Sequence, residues 1–177
     1  MKYTKTALGV LLLLIGFNLT TAPTRAQVEK VVVRVDGMSC PFCAYGLEKK
    51  MKKVKGAEEV VININDGSAE LTGKTDQQLS LDALKPAVRD AGFTPREITI
   101  TVSGRLTADS QGVFLNLPND GMRFALFGSD DFQAFAKSHT DTTQKVRIVG
   151  VLEQLETDNK LNGERYAITV ETFEAVK

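Results

Sequence analysis

Cysteine and histidine are scarce in this chain of 177 residues, which has two cysteines and one histidine. A structural zinc site normally takes four such ligands. Cys40 and Cys43 lie close together, whereas His139 lies far along the chain and is interpreted as a surface-loop residue rather than a ligand. The composition therefore argues against zinc and favours at most one soft-metal site with few ligands.

Net positive charge is also missing, because Lys and Arg number 22 and Asp and Glu number 22. Lys2, Lys5 and Arg25 fall in the first 26 positions, so the rest of the chain is slightly acidic. Proteins that bind nucleic acid normally carry a basic patch or stripe. We therefore set that class of partner aside. The 42% of hydrophobic and 25% of charged residues are typical of a soluble globular protein.

A long apolar run is absent as well. The run from Ala7 to Leu19 is shorter than the ~20 residues that a transmembrane helix needs. Lys2 and Lys5 precede it, and the small and polar residues of Thr20–Ala26 follow. This order is typical of a secretory signal peptide. It predicts cleavage after Ala26 and a periplasmic or secreted protein, with an uncleaved anchor as the alternative.

Both cysteines lie in one motif, GMSCPFC, at Gly37–Cys43. A strand pattern at Val31–Val35 precedes the motif, and a helix pattern at Ala44–Lys55 follows it. Two thiolates at this spacing can bind one soft metal ion or perform thiol–disulfide exchange, and a helix N-terminus lowers the pKa of a thiol. A structural disulfide is the third interpretation, and the CxxC alone does not choose among them.

Residues 30–98 show the periodicity of an α+β unit. The predicted order is strand, helix, strand, strand, helix, strand, which is the ferredoxin-like βαββαβ arrangement. Asp66-Gly67 predicts a hairpin turn, Gly56 the C-cap of the first helix, and Pro86 a distorted or late start of the second helix. The apolar positions that carry the prediction are Val31, Val33, Val35, Ala44, Leu47, Met51, Val54, Val60, Ile62, Ile64, Leu81, Leu84, Val88 and Ala91.

The GMxCxxC motif, with Ala91-Gly92-Phe93 after the second helix, resembles the heavy-metal-associated domain. This family includes copper chaperones, metal-binding domains of heavy-metal ATPases and the periplasmic mercury-binding protein. The resemblance covers about residues 29–98. It implies that Cys40 and Cys43 are the two thiolate ligands.

The resemblance also assigns roles around the cysteines. Met38 is expected to pack under the loop rather than to bind metal, and Phe93 to lie near the metal and shield it. Phe42 stands where the family often has small residues, so we expect it to alter access to the site.

Two thiolates suit Cu(I) or Hg(II) better than Zn(II). We therefore interpret the protein as an exported carrier or chaperone for Cu(I) rather than as an enzyme. A periplasmic mercury-binding protein is one alternative. A thiol–disulfide oxidoreductase is the other, because CPFC resembles a glutaredoxin active site and Thr94-Pro95 precedes a later strand.

Lysines are concentrated at one helix of the predicted domain: Lys49, Lys50, Lys52, Lys53 and Lys55. Such a run is usually the solvated side of an amphipathic helix. The other interpretation is a docking surface for an acidic metal-donating or metal-accepting protein, such as a membrane transporter. A homodimer bridged by one metal ion is a further option.

Residues 99–177 contain no motif that indicates chemistry. Their predicted order of three strands, a helix and two strands is that of a small five-stranded OB-like β-barrel, with a β-sandwich as the alternative. Gly104 and Gly150 fit the bends of such a barrel. Its ligand loops would be Thr107–Gly112 and Glu153–Gly163. The full prediction is a signal peptide (1–26), a heavy-metal-associated domain (27–98) and the barrel (99–177).

Overall fold

The computed structural model describes residues 27–117, 121–140, 143–155 and 164–176. The predicted signal peptide therefore lies outside the described residues. The described elements, in chain order, are β1 (Gln27–Asp36), α1 (Pro41–Met51), β2 (Ala57–Asn63), β3 (Ser68–Gly73), α2 (Leu84–Asp90), β4 (Thr94–Asp109), β5 (Gly112–Leu117), β6 (Met122–Phe127), α3 (Asp130–His139), β7 (Lys145–Gln154) and β8 (Tyr166–Val176).

The first six elements form a four-stranded antiparallel sheet with two helices. The strand order is β2-β3-β1-β4, and α1 contacts α2. This is the order of a ferredoxin-like unit, and the predicted α+β class is confirmed. Val31, Val33 and Val35 alternate into the core from β1, whereas Arg34 between them is exposed. Ala44, Leu47 and Met51 bury the inner side of α1 because they recur at helical spacing.

The helix boundaries differ from those predicted. Helix α1 begins at Pro41, since proline suits the first turn of a helix, where its missing N–H is not needed. It ends at Met51, so Gly56 is not its C-cap. Gly56 has a φ of +81°, and a Cβ there would lie 2.2 Å from the carbonyl oxygen of Gln78. The predicted disturbance near Pro86 is confirmed: a 3₁₀ turn at Leu81–Ala83 comes before α2.

Strand β4 is shared by the ferredoxin-like unit and the unit that follows it. Its residues from Thr99 to Ser103 pair with β1 on one edge and with β7 on the other. The predicted domain boundary between residues 98 and 99 therefore falls inside a continuous strand. No linker separates the two units at this boundary, because β4 runs from Thr94 to Asp109.

The remaining strands close into a five-stranded barrel in the order β4-β5-β6-β8-β7-β4, with β6 and β8 parallel. Helix α3 lies between the third and fourth barrel strands in the chain. Ser129 caps this helix, because its side chain accepts a hydrogen bond from the N–H of Phe132. The barrel core is built from Leu106, Leu115, Leu117, Phe124, Phe132, Val146, Ile148 and Ile168.

Two glycines allow close approach of barrel strands. A Cβ on Gly104 would lie 2.6 Å from the carbonyl oxygen of Asn116, and one on Gly150 would lie 2.2 Å from that of Thr169. Gly150 also adjoins a break in the β7–β8 register. Both observations agree with the predicted role of these glycines. Of the predicted ligand loops, the first is shorter than expected because β4 runs to Asp109, and residues 156–163 of the second lie outside the described residues.

Candidate metal centre

The motif loop connects the end of β1 to the start of α1. Gly37 follows Asp36 with a φ of +87°, which glycine adopts without strain. The Ser39 N–H donates to the Gly37 carbonyl at 3.0 Å and closes the turn. Cys40 is the N-cap of α1 in an extended conformation, and its carbonyl accepts from the Ala44 N–H at 3.0 Å. The loop therefore delivers both cysteines to the first turn of a helix.

The two cysteines are free thiols with different environments. Cys40 is half-buried, whereas Cys43 is exposed. A hydrogen bond from the Cys43 thiol is the main cause that lowers the pKa of Cys40, and the backbone N–H groups of Cys43 and Phe42 add to it. The same thiol–thiol contact, followed by desolvation and the charge of Cys40, raises the pKa of Cys43. The structure thus places both predicted ligands at the start of α1, Cys40 at the N-cap and Cys43 in the first turn.

Met38 lies beneath the loop, as the resemblance implied, and Phe93 lies beside Gly37 of the loop. The side chain of Met38 is buried in the core of the first unit, so it packs beneath the loop. Phe93 is half-buried against the same core. A Cβ on Gly37 would lie 4.0 Å from Cδ1 of Phe93, which places the ring against the loop. The shielding of a metal by Phe93 stays a prediction.

Two aromatic side chains beside the cysteines face solvent. Phe42 is 89% exposed and Tyr45 is 58% exposed. The motif pointed to Phe42 but not to Tyr45, which lies outside it. The signal was available, because Tyr45 follows Phe42 by three residues and lies off the helical series Ala44, Leu47 and Met51 that forms the core.

The lysines after the motif are all exposed: Lys49, Lys50, Lys52, Lys53 and Lys55. Lys49 Nζ lies 4.5 Å from the centroid of the Tyr45 ring, a cation–π contact. Lys52 pairs with Glu48 at 2.5 Å, and this contact raises the pKa of Lys52. On the other side of the loop, Arg96 pairs with Asp36. Along the chain, the exposed aromatic side chains next to Cys43 are therefore followed by a strongly cationic segment.

No third soft ligand joins the cysteines within the part of the chain that the structure describes, where no group of three or more Cys, His, Asp or Glu side chains could hold a metal. His139 lies on α3 of the barrel and stacks on Phe135 with 4.0 Å between the ring centroids. It is thus on a helix, not in the surface loop that the sequence suggested. The donor set is two thiols at one exposed loop.

Fold and site together define a ferredoxin-like α+β unit that carries a CxxC pair between its first strand and first helix. The model of the heavy-metal-associated domain matches residues 32–94, ending where β4 begins. The chain belongs to the heavy-metal-associated domain family, as the resemblance implied.

Curated relatives include a copper-exporting P-type ATPase of Mycobacterium tuberculosis, 36% identical over 42% of this chain. Another is the periplasmic component of mercuric transport from Shigella flexneri, 32% identical over 41% of this chain. The chain spans only 10% of the ATPase but 78% of the mercuric transport protein. The crystal structure of oxidized MerP from Ralstonia metallidurans CH34 is 28% identical, with a TM-score of 0.35, covering 39% of this chain and 94% of that one.

None of the helices within the described ranges has the length and apolar character needed to cross a membrane.

Proposed function

We propose that this protein is an exported carrier that binds a soft metal ion, with Cu(I) favoured, through Cys40 and Cys43. The observation that carries the proposal is the pair of free thiols at the N-cap and in the first turn of α1. Thiolates are soft ligands that select Cu(I), and two of them suffice for it, whereas zinc takes four ligands. The lowered pKa of Cys40 supports binding, because the thiolate is the form that binds metal.

Hg(II) is the second cargo that the donor set supports. Relatives of this chain are named for both ions: one is a copper-exporting ATPase and another is a mercuric transport component. Both ions accept two thiolates, so the choice between them depends on relative affinity. We favour Cu(I) and make Hg(II) an outcome of the titration.

Export is part of the proposal. The sequence of the first 26 residues has the order of a signal peptide, and the mercuric relatives are named periplasmic components. An oxidising compartment favours closure of exposed thiols to a disulfide. Partner loading or fast metal uptake would therefore keep Cys40 and Cys43 available.

A thiol–disulfide oxidoreductase remains the second candidate, because the unequal pKa values of the two cysteines would suit a nucleophile and its partner. Two features favour the carrier. First, the Asp66-Gly67 turn joins β2 to β3 where a glutaredoxin has another helix. Second, Pro95 is a strand residue that pairs with Val35 of β1, and the peptide bond before it is trans.

We propose further that the barrel is an OB-like domain that stabilises or docks the metal-binding unit. Its support is the strand order with β6 parallel to β8 and the helix between the third and fourth strands. The rigid connection through β4 suits either role.

The deciding experiment is a Cu(I) titration of the reduced, exported chain against a competing chelator, with Hg(II) in a parallel series. We expect one ion per chain in the wild type. We expect a loss of affinity of several orders of magnitude in Cys40→Ser, Cys43→Ser and the double variant. His139→Gln is the matched control and should bind as the wild type does. Light scattering during the titration detects a dimer bridged by one ion.

Two results would contradict the proposal. Tight Cu(I) or Hg(II) binding by the double serine variant would place the site elsewhere. Catalytic reduction of insulin by the apo-protein, without stoichiometric metal uptake, would favour the oxidoreductase.

A further inference from the structure

A cleft of about 420 Å³ lies between the metal-binding unit and the barrel. Ligand pockets measure roughly 300–1,000 Å³ and occur preferentially between domains. No residue of the cysteine loop Gly37–Cys43 lines this cleft. Lys55 lines it beyond the last turn of α1, whereas Cys40 caps the first turn. Because a helix of this length measures about 16 Å, the cleft is separate from the candidate metal centre.

One wall of the cleft belongs to the metal-binding unit and consists of Lys55 and the segment Gln78–Asp82. The backbone holds this wall together. The Ser80 N–H donates to the Lys55 carbonyl at 2.9 Å. Gly56 lies so close to the same segment that a Cβ on it would be 2.2 Å from the Gln78 carbonyl oxygen. The backbone that carries Lys55 is therefore fixed against the rest of the wall.

The opposite wall belongs to the barrel. It consists of residues 121–123 at the start of β6 and residues 164–166 at the start of β8. Tyr166 and Arg165 of this wall both bond to the carboxylate of Asp82 in the other wall. The two walls are thus connected through side chains, so the cleft is formed before a ligand arrives. Such preorganisation lowers the entropy cost of binding.

The cleft combines an apolar lining with exposed cations. Its buried lining side chains are each at most 8% exposed, and they are Leu79, Leu81, Met122 and Tyr166. Lys55 and Arg165 line the same cleft and are exposed. Pockets that bind small molecules are similarly built from apolar side chains with a few polar groups that fix the orientation of the ligand. This lining suits a molecule with an apolar body and one charged end.

The carboxylates of the cleft are already engaged. Asp82 accepts hydrogen bonds from three side chains of the barrel. Glu164 pairs with Arg123, and this arginine also pairs with Asp109, which does not line the cleft. A cationic ligand would have to compete with these arginine contacts for the carboxylates.

Unused hydrogen-bond donors remain on the cations. The side chain of Lys55 has no hydrogen bond or ion pair to any residue in the described ranges. Arg165 donates to Asp82 through one terminal nitrogen, whereas a guanidinium has five N–H groups. The charged lining residues are three cations and two carboxylates: Lys55, Arg123, Arg165, Asp82 and Glu164. An anionic ligand matches this excess of donors.

We propose that the cleft binds a small organic carboxylate, whose charged end pairs with Lys55 and whose apolar body packs on Leu79 and Met122. An inorganic anion would leave the apolar lining uncovered, and a neutral apolar molecule would leave the Lys55 ammonium unused. Both should therefore bind more weakly than a molecule that has both parts. The ligand would contact both units, so its binding should also stabilise the folded protein.

Naphthoate is a suitable probe because it has an aromatic body and a carboxylate. Isothermal titration calorimetry on the reduced, metal-free exported chain measures its Kd. Naphthalenemethanol, which lacks the charge, and acetate, which lacks the body, are titrated in parallel. We expect the Kd of naphthoate to be lower than that of either by about tenfold or more, as a charge-assisted hydrogen bond or a buried ring provides. An equal Kd for naphthoate and naphthalenemethanol would overturn the proposal.

Substitutions at two neighbouring lysines test the assignment of the charged end. Lys55→Gln should raise the Kd of naphthoate about tenfold, and Lys55→Arg, which keeps the charge, should restore most of the affinity. Lys53→Gln is the matched control, because Lys53 is equally exposed in the same segment but does not line the cleft. Thermal unfolding verifies that each variant is folded. Equal effects of Lys53→Gln and Lys55→Gln would overturn the proposal.

The position of the probe is checked by amide chemical shifts of the isotope-labelled chain. Naphthoate should shift the signals of Leu79, Ser80 and Met122 and leave those of Gly37–Cys43 unchanged. Shifts confined to the cysteine loop, or shifts that do not saturate, would overturn the proposal. The variant with both cysteines changed to serine should bind naphthoate as the wild type does. Failure of the Cu(I) titration therefore leaves this test intact.

Discussion

The hydroxyl of Tyr166, at the start of β8, donates a 2.5 Å hydrogen bond to the carboxylate of Asp82, in the 3₁₀ turn before α2. Gln154 donates to the same carboxylate at 3.0 Å, and Arg165 pairs with it. Three residues of the barrel therefore converge on one carboxylate of the metal-binding unit. Together with the shared strand β4, this cluster makes the two units one body. The barrel thereby holds the turn that leads into α2.

Tyr166→Phe should destabilise the protein by about 1–2 kcal/mol, because Asp82 loses a hydrogen-bond donor while it keeps Gln154 and Arg165. Urea unfolding checks this value. The metal affinity should not change, since Tyr166 does not contact the cysteine loop. A loss of Cu(I) affinity in this variant would show that the cluster also shapes the site.

The same tyrosine predicts a stability change in alkali. Burial and then the contact with Asp82 raise the pKa of Tyr166 above its ordinary value of about 10. A group whose pKa is raised on folding contributes stability below its unfolded-state pKa and loses that contribution as pH rises through its folded-state pKa. We therefore expect the unfolding free energy to fall more steeply above pH ~10 in the wild type than in Tyr166→Phe. Parallel curves for the two proteins would refute this assignment.

Local patterns were sufficient to predict the ferredoxin-like unit. Val31, Val33 and Val35 are buried because a strand alternates, and Leu47 and Met51 because a helix recurs at every third or fourth residue. The GMxCxxC motif located the candidate site for the same reason, since its residues are neighbours in the chain. Both features are encoded over a few residues.

Other features depend on partners distant in sequence. The double pairing of Thr99–Ser103 is invisible in the strand itself, because its apolar alternation is the same whether one edge or two are paired. Asp82 reads as an ordinary residue near a helix start, and only the fold brings Tyr166 to it. The apolar series predicts a helix from Ala44, whereas α1 begins at Pro41, because Pro41 and Phe42 do not continue that series.

The cysteines should react in a defined order. Because the pKa of Cys40 is lowered and that of Cys43 is raised, a larger fraction of Cys40 is thiolate at neutral pH. Iodoacetamide should therefore alkylate Cys40 first in the metal-free protein, although Cys43 is the more exposed. Peptide mass spectrometry across a pH series measures the two rates. Faster alkylation of Cys43 at pH 7 would indicate that exposure outweighs ionisation.

Two glycine substitutions should act in opposite directions. Gly150→Ala should destabilise the barrel by about 1–3 kcal/mol, because its Cβ would lie 2.2 Å from the Thr169 carbonyl oxygen. Gly46→Ala should stabilise the protein by up to ~1 kcal/mol, since alanine favours a helix and its Cβ meets open space. Thermal unfolding of both variants and the wild type shows whether each substitution raises or lowers the stability. Equal shifts in one direction would contradict the close approach of β7 and β8.

Phe93 should protect a bound metal and its thiolates from oxidation. Its half-buried ring lies against the Gly37 loop, whereas the ring of Phe42 is 89% exposed and covers little. Phe93→Ala, loaded with Cu(I), should therefore form the Cys40–Cys43 disulfide faster than the wild type, and Phe42→Ala should match the wild type. Thiol trapping with an alkylating reagent after timed exposure to oxygen measures the rates. Phe93→Leu, which keeps most of the packing volume, separates shielding from destabilisation: its rate should lie between those of the wild type and Phe93→Ala. Identical rates in all four proteins would show that the metal protects its ligands without help from the ring.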